Sequence, residues 1–209
     1  MNRKERTQIV VSELKRLYPT LGPFLHSSND HEFLFAVMLS AQCTDKKVNE
    51  VTKVLFSKYK TLQDYGDASL EAFTQDIKQI GLYKSKAKNI LATAKKLQED
   101  YAGKIPRMMV QLLELPGVGR KTANVVLSEL FHEAQGIAVD THVKRLANKF
   151  GLTDSQNIDR IEKDLMEVIP KHEWTMFTKR MIAYGREYSP ARKKTEEDPI
   201  SKLLREAQR

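Results

Sequence analysis

Apolar residues recur along most of the chain at intervals of three and four positions, which is the spacing of one buried face of an α-helix. The nine glycines and seven prolines are few enough to leave long stretches uninterrupted. The pattern predicts an all-α protein. A first helix is expected near residues 5–18. The segment 30–40, apolar on nearly every side, predicts a central buried helix capped by a polar residue among 27–30.

The same spacing predicts further helices along the rest of the chain. One helix is expected to be capped by Thr44 or Asp45, the next to run from Leu70 to Ile80, and a third to begin at Ser85. Four more are expected over residues 120–132, 141–150, 157–169 and 173–188. A short closing helix is expected where Asp198 precedes Pro199, because aspartate is a favoured N-cap and proline is tolerated in the first turn.

The charge balance changes the picture from a generic helical protein to one with a polyanionic partner. Lysine and arginine number 35 against 27 aspartates and glutamates, which leaves a formal net charge of +8. A surplus of this kind favours nucleic acid as the partner. The helix that begins near Ser85 is expected to turn five lysines toward solvent. They are Lys84, Lys86, Lys88, Lys95 and Lys96.

Two features of the sequence disfavour a membrane protein and a protein with an all-cysteine metal site. The longest apolar run, residues 33–39, is far shorter than the ~20 residues of a membrane helix, and the first residues hold no signal core, so a cytoplasmic protein is expected. Cys43 is the one cysteine, which excludes an intrachain disulfide and an all-cysteine metal site built from this chain. No oligomerisation signal is evident, and a monomer is predicted.

The sharpest local feature is the turn in residues 113–123, which carries two glycines between an apolar stretch and a helix start. Gly117 and Gly119 permit backbone conformations and close approaches that a Cβ would block, and Val118 can anchor the turn in the core. Backbone N–H groups at the following helix N-terminus suit one DNA phosphate without reading a base. A plain helical hairpin explains the glycines equally well.

Four segments in this order, 39–45, 80–87, 115–126 and 139–142, resemble the helix–hairpin–helix DNA glycosylases of the endonuclease III family. The resemblance covers roughly residues 33–186 and implies a two-lobed all-α fold with the active site in the cleft between the lobes. Residues 25–135 would form the lobe that contains the hairpin. Residues 1–24 and 136–209 would form the second lobe.

The resemblance implies that Lys121 and Asp140 are the catalytic pair. Lys121 lies near a helix N-terminus, which disfavours a protonated amine, and partial burial would act in the same direction. Its amine would attack the deoxyribose C1′ and hold the sugar as a Schiff base. Asp140 would stabilise the positive charge that develops there and assist proton transfers. The ordinary explanations are a phosphate-binding lysine and a helix N-cap.

Four other residues match DNA-contacting positions of the family. Base removal requires extrusion of the damaged nucleotide, and Gln42 and Leu82 match the positions that fill the vacated space. His142 and Asp45 match segments that line the cleft. The alternatives are an interhelix loop glutamine, a core leucine, a helix-surface histidine and an N-cap aspartate.

The implied function is a bifunctional glycosylase and abasic-site lyase of base excision repair, acting on oxidised pyrimidines in double-stranded DNA and nicking the strand by β-elimination. Its expected location is the cytoplasm, in association with the nucleoid. A glycosylase for mismatched or alkylated bases, a lyase for abasic sites alone and a non-catalytic DNA-binding module remain alternatives.

The chain departs from the family pattern at its C-terminal end. Most endonuclease III proteins carry an iron–sulfur loop with the spacing C-x6-C-x2-C-x5-C. The corresponding positions here are Ser189, Glu196, Pro199 and Arg205. We therefore predict no iron–sulfur cluster and no other cofactor. The tail is expected to pack as a charged loop and helix, with the basic run 192–194 as a DNA contact.

Overall fold

A computed structural model describes residues 1–190 and 198–209, and the regular structure of this part of the chain is helical throughout, as predicted. A single 3₁₀ turn at Lys171–Glu173 accompanies the α-helices in these residues. The α-helices are α1 Arg3–Leu17, α2 Asp30–Ser40, α3 Asp45–Lys58, α4 Leu62–Asp67, α5 Leu70–Asp76, α6 Tyr83–Tyr101, α7 Met109–Leu113, α8 Arg120–Leu130, α9 Thr141–Lys149, α10 Ile158–Val168, α11 Trp174–Glu187 and α12 Pro199–Glu206.

The chain divides into two compact units, and the first consists of residues 23–133. Its centre is α2, whose residues 33–39 are all buried because α3, α6 and α8 pack around it. The cap lies within the predicted range, since the Asn29 side chain accepts a hydrogen bond from the Glu32 backbone N–H at 3.0 Å. The all-round apolar pattern of this segment is therefore that of a helix enclosed by neighbours.

The second unit consists of residues 1–22 and 134–209, in which α1 contacts α10, α11 and α12. Phe150 and Tyr184 meet edge to face in its core, with ring centroids 5.8 Å apart. The predicted closing helix is confirmed as α12, with Asp198 as N-cap and Pro199 in the first turn. None of the helices in the described ranges is long and apolar enough to cross a membrane.

The sequence analysis misses one short helix and gives another the wrong end. Helix α4 was not predicted, because six residues that include a glycine carry too few turns for a periodic pattern. The helix predicted from Leu70 to Ile80 ends at Asp76, and Leu70 is exposed. Beyond Asp76 the chain continues in tight turns, in which the Ile80 N–H donates to the Ile77 carbonyl three residues earlier.

Candidate functional site

The hairpin turn between α7 and α8 is held by its contacts with α6. Gly117 has φ +78°, and a Cβ there would lie 2.6 Å from Asn89 Nδ2, so only glycine fits both the backbone and the space. Thr93 Oγ1 donates to the Pro116 carbonyl at 3.0 Å, and the Val118 side chain is buried, as predicted. The turn is thus fixed in one conformation by helix α6.

Gly119 differs from Gly117. Its φ of −93° is open to any residue, so the expected special backbone conformation is not found, and a Cβ would meet no atom of the protein within 4 Å. Gly119 is the N-cap of α8 and has no side chain that could cap the helix. Within the described residues no side chain caps α8, and its first turn holds no acidic residue. The first N–H groups of α8, at the positive end of the helix dipole, are therefore suited to an anion.

Lys121 is the second residue of α8 and its side chain is exposed. The prediction that partial burial acts on this amine is therefore wrong. The helix places the amine beside the partial positive charge of its N-terminus. Exposure leaves the amine accessible to a large substrate.

Asp140 is the N-cap of α9, as its ordinary explanation predicted. Its Oδ1 accepts a hydrogen bond from the Val143 backbone N–H at 2.8 Å, and the side chain is half-buried. Within the described part of the chain, Oδ2 takes part in no hydrogen bond or ion pair. One oxygen therefore orients the carboxylate while the other remains open to a substrate, so capping and chemistry are compatible in this residue.

His142 lies on the first turn of α9 and is half-buried against α11. A Cβ on Gly185 would overlap the imidazole and lie 3.1 Å from its Cγ. Arg145 Nη2 lies 3.3 Å from His142 Nδ1, and Arg145 Nη1 donates to Ser189 Oγ at 2.9 Å. The sequence analysis missed Arg145. The signal for this packing was Gly185 itself, because a glycine inside a helix costs stability and indicates a close approach.

Gln42 and Leu82 share an unusual backbone conformation. Both are non-glycine residues in the left-handed region, with φ of 55° and 58°. Gln42 is exposed, and Leu82 is 59% exposed, so the core explanation for Leu82 is wrong. A Cβ on Gly81 would lie 3.4 Å from the Gln42 carbonyl oxygen, which places the two turns side by side. Strained, exposed residues of this kind are typical of binding sites.

Asp45 is not the N-cap of α3. Thr44 holds that position, because its Oγ1 accepts a hydrogen bond from the Lys47 N–H at 3.3 Å. Asp45 is instead the first residue of the helix, where its negative charge is favourable beside the N-terminus.

The lysines of α6 differ from the prediction at one position. Lys84 and Lys88 are exposed, and Lys95 and Lys96 each pair with an acidic residue one turn later. Lys86 is only 7% exposed, so its assignment to the solvent face is wrong.

The four positions that correspond to the family's cluster ligands do not fit a cluster. Ser189 Oγ accepts hydrogen bonds from Arg145 and Lys149, Pro199 is the first residue of α12, and Arg205 lies on the same helix. Glu196 and the basic run 192–194 lie outside the described residues. None of the four side chains has a thiolate, which is the donor that such clusters require.

The tail instead is joined to the second unit by Asp198, which is 2% exposed. Its carboxylate accepts hydrogen bonds from Tyr184 Oη and the Ser201 N–H and pairs with Lys149. Burial alone would raise the pKa of this carboxyl, but the donors from Lys149, Tyr184 and Ser201 hold it below its ordinary value.

Comparison with known proteins finds one family and many close relatives. The family model described as HhH-GPD superfamily base excision DNA repair protein matches residues 35–171. Endonuclease III of Bacillus subtilis (strain 168) is 44% identical over 207 residues, which cover 98% of this chain and 94% of that protein. Endonuclease III of Synechocystis is 41% identical over 192 residues, which cover 92% and 88% of the two chains.

Solved structures match along the whole chain. A trapped covalent intermediate of endonuclease III with DNA, described as an estranged-adenine complex, superposes with a TM-score of 0.92 at 42% identity and 100% coverage of both chains. A non-covalent complex of endonuclease III with DNA has a TM-score of 0.92 at 43% identity, covering 100% of this chain and 98% of that one. A thermostable thymine-DNA glycosylase, at 23% identity and a TM-score of 0.78, shares the fold.

Proposed function

The chain belongs to the HhH-GPD superfamily of base excision DNA repair proteins, and we propose that it is a bifunctional DNA glycosylase and abasic-site lyase that acts on oxidised pyrimidines in duplex DNA. The observation that carries this proposal is an exposed lysine, Lys121, at the open N-terminus of α8, directly after the glycine turn. The whole-chain similarity to an endonuclease III captured covalently on DNA supports the same assignment.

DNA binding would begin at the hairpin. The N–H groups at the start of α8 would bind one phosphate, and the exposed side chains of Arg120, Lys84 and Lys88 would add positive charge to the surface. These contacts position the duplex without reading its sequence, which suits an enzyme that searches for lesions in any context.

Lys121 would supply the nucleophile. Its neutral amine attacks C1′ of the damaged nucleotide, the glycosidic bond breaks, and the electron pair and a proton leave with the base. The attacking nitrogen gives up the proton that the base takes. The C1′–O4′ bond then breaks as the C1′=N bond forms, and O4′ takes a proton from solvent, which leaves a protonated Schiff base. Loss of a C2′ proton then breaks the C3′–O bond by β-elimination and nicks the strand. The Asp140 carboxylate would stabilise the positive charge at C1′ through the oxygen that the helix cap leaves open.

The test is borohydride trapping combined with a panel of duplexes, each holding one lesion. We expect a covalent adduct on abasic DNA, and base release from oxidised pyrimidines that exceeds release from mismatched or alkylated bases. Base release greatest on a mismatch or an alkylated base would replace the substrate class. Trapping without any base release would leave a lyase alone, and binding without trapping would leave a DNA-binding module.

We further propose that this protein works without an iron–sulfur cluster, because the one cysteine of the chain cannot supply four thiolates. The purified protein is expected to be colourless, to contain no stoichiometric iron and to keep its activity after chelator treatment. Stoichiometric iron in the purified protein would contradict the proposal. We also propose that the protein acts as a monomer and is associated with the nucleoid, which sedimentation and imaging of a fluorescent fusion in cells would test.

A further inference from the structure

Lys86 is a buried lysine in the first unit that the proposed chemistry does not use. Its side chain is 7% exposed, and within the described residues no carboxylate pairs with it. Burial lowers the pKa of its ammonium group. Because burying a charge is costly, such a residue needs compensating hydrogen bonds.

Those hydrogen bonds go to the C-terminal end of α2. Lys86 Nζ donates to the Leu39 carbonyl at 2.8 Å and to the Ala41 carbonyl at 2.5 Å. Helix C-termini present unsatisfied carbonyls and a partial negative charge, and a cation there is favourable. The ammonium therefore binds both sides of the point where the chain leaves α2 and turns into Gln42.

The backbone of Lys86 contacts the second turn. Its N–H donates to the Leu82 carbonyl at 3.1 Å, which is a hydrogen bond of the first turn of α6. One residue therefore joins the turn that carries Gln42 to the turn that carries Leu82. A second link runs across the surface, where Lys47 Nζ donates to Gln79 Oε1.

Gln42 and Leu82 both have strained backbone conformations, which the hydrogen bonds of Lys86 can maintain. Gln42 and Leu82 are exposed and have left-handed backbones, a conformation that is unfavourable for a non-glycine residue. Such a conformation persists only when its surroundings hold it. The ammonium fixes the residue before Gln42, and α6 begins directly after Leu82.

We propose that Lys86 is a positioning residue that holds the Gln42 and Leu82 turns as one rigid unit, so that the amide and the leucine enter the duplex together when a damaged nucleotide is extruded. This inference rests on the proposed function, since only an enzyme that extrudes a base needs a paired insertion of this kind. An amide offers hydrogen bonds to the orphaned partner base, and an exposed leucine suits the vacated stack.

The test compares abasic sites in duplex and in single-stranded DNA, because a single strand offers no stack to fill. Lys86→Met keeps the length of the side chain and removes the ammonium. We expect it to lower the rate of borohydride trapping on duplex DNA about tenfold and to leave the single-strand rate within about twofold. Lys86→Arg, which keeps the charge and the donors, is expected to recover most of the duplex rate. Lys95→Met removes the same charge from an exposed site further along α6 and is the matched control.

A double-mutant cycle separates positioning from general stability. In the wild-type background, Gln42→Ala and Leu82→Ala should each lower duplex trapping. In the Lys86→Met background each should have a much smaller effect, because the side chain is already displaced. Undiminished effects, or equal losses on duplex and single-stranded DNA, overturn the proposal. If Lys86→Met does not fold, Lys86→Gln, which removes the charge but keeps an N–H donor, takes its place in the cycle. Undiminished effects of Gln42→Ala and Leu82→Ala in that background likewise overturn the proposal.

The wild-type protein distinguishes failure of this inference from failure of the proposed function. Absence of an adduct on both kinds of DNA in the wild type contradicts the proposed function itself. A normal wild-type adduct together with wild-type behaviour of Lys86→Met contradicts only the role of Lys86.

Discussion

The N-termini of α8 and α9 differ in whether a side chain of the protein caps their unsatisfied N–H groups. Both helices begin with unsatisfied N–H groups and a positive dipole end. Helix α9 satisfies one of its groups with the Asp140 carboxylate. The N-cap of α8 is Gly119, and this helix has no side-chain cap from any residue that the structure describes. The first is closed by an anion of the protein, and the second is open to an anion of the substrate.

The contrast extends to the charged side chain that each N-terminus carries. At α8 an exposed lysine stands beside a helix end whose partial charge is positive. At α9 an aspartate stands where negative charge is favourable, and the helix orients its carboxylate. The two N-termini thus combine the same backbone property with side chains of opposite charge.

The largest effect is expected from removing the amine at the open terminus. Lys121→Gln should abolish borohydride trapping and strand nicking and leave duplex affinity within a few fold, because lyase chemistry needs the amine whereas binding rests on many phosphate contacts. Gel analysis of trapped adducts and titration of a labelled duplex measure both. Lys163→Gln, an exposed lysine of α10, is the control for lost charge. Unaltered lyase activity in Lys121→Gln would refute the assignment.

The next effect tests whether the closed terminus is only a cap. Asp140→Asn removes the charge, but asparagine caps a helix about as well as aspartate. Base release should fall about 100-fold or more, the usual size of a lost acid–base group, with little change in melting temperature. Asp140→Ala should lose the cap as well, at about 1 kcal/mol. A destabilised Asp140→Asn whose folded fraction is fully active would mean that the residue is a cap alone.

A smaller effect is expected when a side-chain cap is added to the N-terminus of α8, so that it resembles the N-terminus of α9. Gly119→Asp places a capping carboxylate at α8 without a clash, because the backbone is extended and the space is open. Duplex affinity should fall about threefold to tenfold, while the melting temperature holds or rises slightly. Gly119→Asn separates the added cap from the added charge. Unchanged affinity in Gly119→Asp would mean that the phosphate binds elsewhere.

The smallest effect is expected at a third N-cap, Asp198. This residue is buried, whereas Asp140 is half-exposed. Its pKa is lowered in the folded protein, so its contribution to stability is present above the ordinary value near 4 and is lost as the pH falls through the folded value. Asp198→Asn should lower the melting temperature at pH 7 by about 3–6 °C, corresponding to about 1–2 kcal/mol.

That difference in melting temperature should shrink as the pH falls below about 4, because Asp198 of the unfolded chain then binds a proton, and it should be lost once the pH has fallen through the lower pKa of the folded protein. Calorimetry over the pH range measures this change. Lyase activity per folded molecule should be unaffected. A constant difference across the pH range would show that the charge of Asp198 contributes nothing.

Several parts of the site could be predicted from local sequence because they depend on local geometry. The Asp140 cap follows from an aspartate placed directly before a helix, and the buried state of Val118 follows from an apolar residue between two glycines. Lys86 was misjudged although its spacing carried a signal. It lies four residues before Ile90 and seven before Thr93, both fully buried, and so shares their face of α6.

The sequence by itself determined the helical class, most helix boundaries, the caps of α2, α9 and α12, and the lack of thiolates for a cluster, because these depend on neighbouring residues or on composition. The tertiary structure decided that Leu82 is exposed, that Lys86 is buried and that Gly117 must be glycine. The reason is sequence separation. The Lys86 ammonium binds a carbonyl 47 positions away, and Gly117 is confined by Asn89 on another helix, contacts that no local pattern encodes.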